Sequence, residues 1–237
     1  MTGFAADAGL DLRAFPFACM LAEAVLGETE AVVPLKRAGV ITLPDLRALA
    51  RVATFRGPLR RGLSAGCERS DLSAVVMGEL VARASGRMAV LVATRPHVET
   101  DAVALLVAGA VWHRRLLRLA LRAERAHARS ALGAETTRIA TQEVPTLHPS
   151  LAFLDAGDEA WATMMQADEA DGRRAATGYG YDVLLSCLDA ASPPLGDFAR
   201  RRLGLDSHGV PPIAPALEAH LVKFVSRRVP AWSAIIG

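Results

Sequence analysis

The stretch Thr100–Gly133, TDAVALLVAGAVWHRRLLRLALRAERAHARSALG, decides how the rest of the chain is read. Its first half is apolar and its second half basic, and both are rich in Ala and Leu, the strongest helix formers. Thr100 is placed to cap a helix running through Val103, Leu106, Val107 and Ala110. A second stretch, His113 to Leu132, reads as one long helix or a broken pair. Gly133 supplies the stop signal, because glycine tolerates the backbone that ends a helix.

Helical signals extend outward in both directions. Before the central stretch, Phe17–Leu26 is closed by Gly27, and Asp45–Thr54 follows Pro44 with Leu46, Leu49 and Ala53 at helical spacing. Arg56–Gly66 is broken by glycine and proline and reads as a loop, after which Ser70 caps Asp71–Ala84. Met88–Ala93 is the one strand candidate, a run short enough to be either a strand or a buried helical turn. After the centre, Ala134–Glu143 continues helically to Pro145, and Leu147–Leu154 is a connection. Asp158–Arg173 and Thr177–Ala190 read as two helices separated by a weak spot at Gly178 and Gly180. Pro193 and Pro194 open a short helix to Leu203, Gly204–Pro215 is a loop, and Ala216–Val229 is an amphipathic helix. Alternating strands and helices, the sign of a parallel sheet, are missing. The expected fold is all-α, a helical bundle with room for one short strand pair. Residues 1–237 read as a single helical domain with a soft boundary near 145–150.

Composition narrows the function classes. Hydrophobic residues make up 51% and charged residues 22%, which is a folding composition and not a disordered one. The net charge of +2 is weak for a dedicated nucleic-acid binder, so no nucleic-acid partner is expected. Three scattered cysteines (Cys19, Cys67 and Cys187) suit a reducing cytoplasm and not a disulfide framework. Met1–Leu12 has no basic segment before an apolar run and does not read as a secretory signal. The apolar stretches Met88–Thr94 and Ala102–Trp112 fall short of the ~20 residues needed to span a bilayer, so no membrane insertion is expected.

Candidate chemistry is thin. Gly62-Leu63-Ser64-Ala65-Gly66 fits the G-x-S-x-G pattern, but that motif needs a strand to lift the serine, and residues 54–61 are no strand. A small serine hydrolase using Ser64, with His208 or His220 as base, is therefore a minor alternative. Asp206-Ser207-His208 collects triad residue types in consecutive loop positions, where they rarely meet. The six histidines (His97, His113, His127, His148, His208 and His220) show no metal-ligand spacing, and no phosphate-binding glycine loop is present. No catalytic residue, cofactor or metal is expected.

Binding signals are stronger. Arg114, Arg118, Arg122, Arg125 and Arg129 recur at steps of three and four, which on one helix makes a basic stripe suited to carboxylates, phosphates or an acidic protein surface. The same pattern also fits a solvated face whose arginine stems cover apolar surface. The C-terminal helix offers Lys223 and Arg227, with Trp232 just beyond, as a second partner surface or as ordinary core packing. A helical nucleic-acid-binding regulator using the stripe is a further alternative.

From Ala102 onward the chain resembles the SctK family (YscK/PscK/OrgA type) of bacterial type III secretion systems. The resemblance rests on the run Leu105 to Leu116 with Ala131 to Glu135, on Trp161 through Leu184-Leu185 to Phe198–Leu203, and on Leu221 to Val225 with Pro230-Ala231-Trp232. It implies a non-enzymatic cytosolic adaptor of the sorting platform, recruited to the cytosolic face of the inner membrane. Such an adaptor links an SctD-like ring protein to an SctQ-like pod protein, with an SctL-like stator and the ATPase beneath.

Overall fold

The computed structural model describes residues 80–191, 193–205 and 213–237. The expected helices at Phe17–Leu26 and Asp45–Thr54, the loop at Arg56–Gly66 and residues 71–79 of the expected helix Asp71–Ala84 lie outside the described residues. So do Ser64, Cys19, Cys67 and the Asp206-Ser207-His208 triplet. Every regular element among the described residues is helical, with no strand, so the chain is all-α there.

Met88–Ala93 resolves as helix, inside α1 (Ala84–Thr94). Those six residues are almost fully buried. A helix apolar on every side shows no 3.6-residue alternation, which is why sequence alone left a strand open there. Helix α2 (His97–Val111) begins three residues before Thr100, with Pro96 at its N-cap. Thr100 is not the cap. Its hydroxyl lies within hydrogen-bond reach of the Pro96 and His97 carbonyl oxygens, and it accepts a bond from the Tyr181 hydroxyl at 2.8 Å.

Trp112 turns the chain from α2 into α3 (His113–Arg118), and α4 (Arg122–Leu132) follows after an extended backbone at Leu119. The basic region is therefore a broken pair. Gly133, at φ 84°, ends α4 and leads into α5 (Ala134–Arg138). A π-helical turn (Ile139–Glu143) continues into α6 (Val144–Leu147), so the helix runs on past Pro145. The stretch read as a connection is a 3₁₀ helix (Pro149–Leu154).

α7 (Asp158–Gln166) and α8 (Glu169–Ala191) meet at Ala167-Asp168, and α8 runs unbroken through Gly178 and Gly180. The expected break at those glycines is displaced for two reasons. Asp168 accepts a bond from the Asp171 N–H at 2.9 Å and so caps the new helix. Gly180 lies against the Ala104 backbone, where a Cβ would stand 1.8 Å from the carbonyl oxygen. The packing gained by that approach offsets the roughly 1 kcal/mol that a mid-helix glycine costs. α9 (Pro193–Leu203), α10 (Pro215–Arg228) and α11 (Pro230–Ile236) complete the described elements.

α8 is the central helix, packed on α2, α7, α9, α1 and α4. α10 and α11 lie against α1 and one another, and α10 also meets the 3₁₀ helix. Trp112, Trp232 and Phe224 are the largest fully buried side chains, each worth ~2–3 kcal/mol of burial. No helix among the described residues is long and apolar enough to cross a membrane.

Candidate functional site

The five arginines at three- and four-residue steps do not share one helix face, because the chain bends away at Leu119–Leu121. Arg114 and Arg118 stand on α3; Arg122, Arg125 and Arg129 stand on α4. All five are exposed. Arg125 is committed to the turn, donating to the Leu119 and Ala120 carbonyls at 2.9 and 3.1 Å. Those carbonyls belong to the turn that follows α3. The Leu121 N–H donates to the Glu124 carboxylate and closes the turn from the α4 side.

Arg114 lies over the Phe153 ring, 5.3 Å from its centroid. Among the described residues, Arg114, Arg118, Arg122 and Arg129 have no carboxylate partner. Near Arg114, Arg118 and Arg122, Leu117, Leu121 and Phe153 are 54%, 62% and 69% exposed.

Arg115, one position off the expected stripe, does different work. It binds Asp155 through two hydrogen bonds of 2.6 and 2.9 Å and Asp158 through one of 2.5 Å. Its hydrogen bond to Asp155, then that to Asp158, raises its affinity for the proton against the opposing effect of burial. The guanidinium also covers Trp161, 5.7 Å from the ring centroid. Trp161 meets Trp112 edge-on at 5.3 Å, and Trp112 stacks on Tyr179 at 4.7 Å and 5°. The Tyr179 hydroxyl donates to the Leu154 carbonyl and accepts from the Ala156 N–H, while burial pushes its pKa up to about 12. Asp155 and Asp158 are forty or more residues from Arg115, and no spacing in the sequence announces them.

The second expected surface divides. Lys223 and Arg227 are exposed on α10. Trp232 is fully buried, its indole N–H donating to the Glu99 carboxylate. It is a core residue and not an exposed anchor. Arg228, beside Arg227, pairs with Glu143 of the π-helical turn. His220 stands against Ser150, with 2.8 Å between its Nδ1 and the hydroxyl oxygen. Cys187 is buried, and desolvation pushes its thiol pKa well up.

No family model, curated protein or solved structure matches the chain.

Proposed function

We propose that the chain is a non-enzymatic adaptor that binds other proteins through the arginine-bearing surface of α3 and α4. One observation carries this reading: exposed Arg114, Arg118 and Arg122, without carboxylate partners among the described residues, stand beside exposed Phe153, Leu117 and Leu121. Arginine and aromatic side chains dominate the energetics of protein interfaces. The resemblance of residues 102 onward makes the assignment specific: a subunit of a type III secretion sorting platform. It would join an SctD-like ring protein to an SctQ-like pod protein, alongside an SctL-like stator, at the cytosolic face of the inner membrane. Lys223 and Arg227 on α10 offer a second contact for such a linker.

The test is a tagged pull-down from native cells at moderate salt, with recovered proteins identified by mass spectrometry. Ring, pod or stator subunits are expected with the parent chain and not with the triple variant Arg114→Glu, Arg118→Glu, Arg122→Glu. Full-strength recovery by a folded triple variant would remove the arginine surface from the reading. The same arginines also favour nucleic-acid phosphates, the second reading. Binding of that kind falls steeply with salt, and DNA binding with that dependence would replace the adaptor role.

A further inference from the structure

The α3–α4 turn, the 3₁₀ helix and α7 enclose an open depression of about 720 Å³, with Trp161 at its wall. Its framework is already ordered. Trp161 is held by the Trp112–Tyr179 stack, Arg115 by Asp155 and Asp158, and the turn by Arg125 and Glu124. A ligand entering here does not have to order Trp161, Arg115 or the turn.

The charges are unevenly satisfied. Asp155 and Asp158 are both taken up by Arg115, and Glu124 accepts from the Leu121 N–H, whereas Arg114 and Arg118, on the same lining, make no ion pair among the described residues. Leu121 at the edge and Phe153 beneath Arg114 add exposed apolar surface. Two requirements stay unmet at one place: cover for apolar atoms and negative charge for two guanidinium groups.

We infer that this depression seats an acidic segment of a partner protein. One bulky apolar side chain of that segment packs on the part of Trp161 that Arg115 and Trp112 leave uncovered, and flanking carboxylates pair with Arg114 and Arg118. The inference rests on the adaptor reading and gives the chemistry of its partner. Guanidinium–carboxylate pairing can be bidentate, so it fixes orientation as well as charge.

Trp161 is also the reporter. The other two tryptophans, Trp112 and Trp232, are fully buried. The full chain is titrated with a short glutamate-rich peptide carrying one central leucine, followed by intrinsic fluorescence and by anisotropy of the labelled peptide. Two control peptides carry glutamine for every glutamate, or serine for the leucine. The expected result is a saturable fluorescence change that both controls weaken by about tenfold or more, equivalent to ~1.4 kcal/mol. Arg114→Ala with Arg118→Ala weakens the acidic peptide similarly, and Trp161→Phe abolishes the fluorescence change. Equal binding of the glutamine peptide, no binding of the acidic one, or indifference to the arginine pair overturns the proposal. Tighter binding of a single-stranded oligonucleotide at the same arginines overturns it too. A peptide that binds while the pull-down recovers no platform subunit leaves the partner chemistry standing and removes the secretion assignment. The converse pair of results removes the depression alone.

Discussion

The His148 ring meets the Phe224 ring edge-on, with centroids 5.4 Å apart and planes at 75°, where α10 lies on the start of the 3₁₀ helix. His148 is 2% exposed, and its Nε2 has no hydrogen-bond partner. Burial, then the nearby charges of Arg227, Lys223 and His220, lowers its pKa. His113 is lowered as well, chiefly by burial, with its Nδ1 2.8 Å from the Ala110 carbonyl oxygen.

The sign of the pH dependence follows. A histidine whose folded pKa lies below its ordinary value of 6.5 binds fewer protons folded than unfolded. Stability is therefore full above about pH 6.5 and falls as pH drops from there towards the folded values. Urea melts at pH 7.5 and 5.5 should show the loss, and His148→Leu should flatten part of it, leaving the share of His113. A slope unchanged in His148→Leu would take His148 out of this account.

Two glycines two residues apart on α8 should respond oppositely to alanine. At Gly180 the new Cβ would meet the Ala104 backbone, which cannot step aside, so Gly180→Ala should cost about 3 kcal/mol or more. At Gly178 nothing lies within 4 Å, and Gly178→Ala should stabilise the helix by about 0.5–1 kcal/mol. Thermal unfolding of the pair checks both signs together.

The tail is structural. Trp232→Ala empties a fully buried site and deprives Glu99 of its donor, so a loss of about 3–5 kcal/mol is expected. Removing residues 230–237 should be at least as damaging, since Ile236 is buried and its carbonyl accepts from Arg87 at 2.8 Å. A truncated chain that melts at the parent temperature would contradict this placement.

Arg115 and Asp158 separate packing from surface charge. Arg115→Met leaves the Asp155 carboxylate, only 15% exposed, without its main partner and should cost about 1–3 kcal/mol. Asp158 is 93% exposed, and Asp158→Asn should change stability by less than about 0.5 kcal/mol. Adding Asp155→Asn to Arg115→Met should recover part of the loss, which a double-mutant cycle measures.

What was legible in the sequence was local. Gly133 ends α4 because a glycine takes φ 84° without strain, and the helix expected at Ala216–Val229 is α10, shifted one residue earlier at each end; the short helix that Pro230 opens went unread. Interactions across the fold were illegible. The Ala104 backbone that accommodates Gly180 stands far away in sequence, so the glycines read as a break. The periodic arginines read as one face because nothing in their spacing records the extended backbone at Leu119. Trp232 looked like an available anchor because its partner, Glu99, lies 133 residues earlier.

That separation has a consequence during synthesis. The surface of α1 and α2 that receives α11 is made long before α11 exists, as the Arg87–Ile236 and Glu99–Trp232 bonds record. At typical translation rates the wait is roughly 7–30 s. Through that interval the nascent chain carries uncovered the apolar surface that α11 later seals, an exposure that favours aggregation of the unfinished chain.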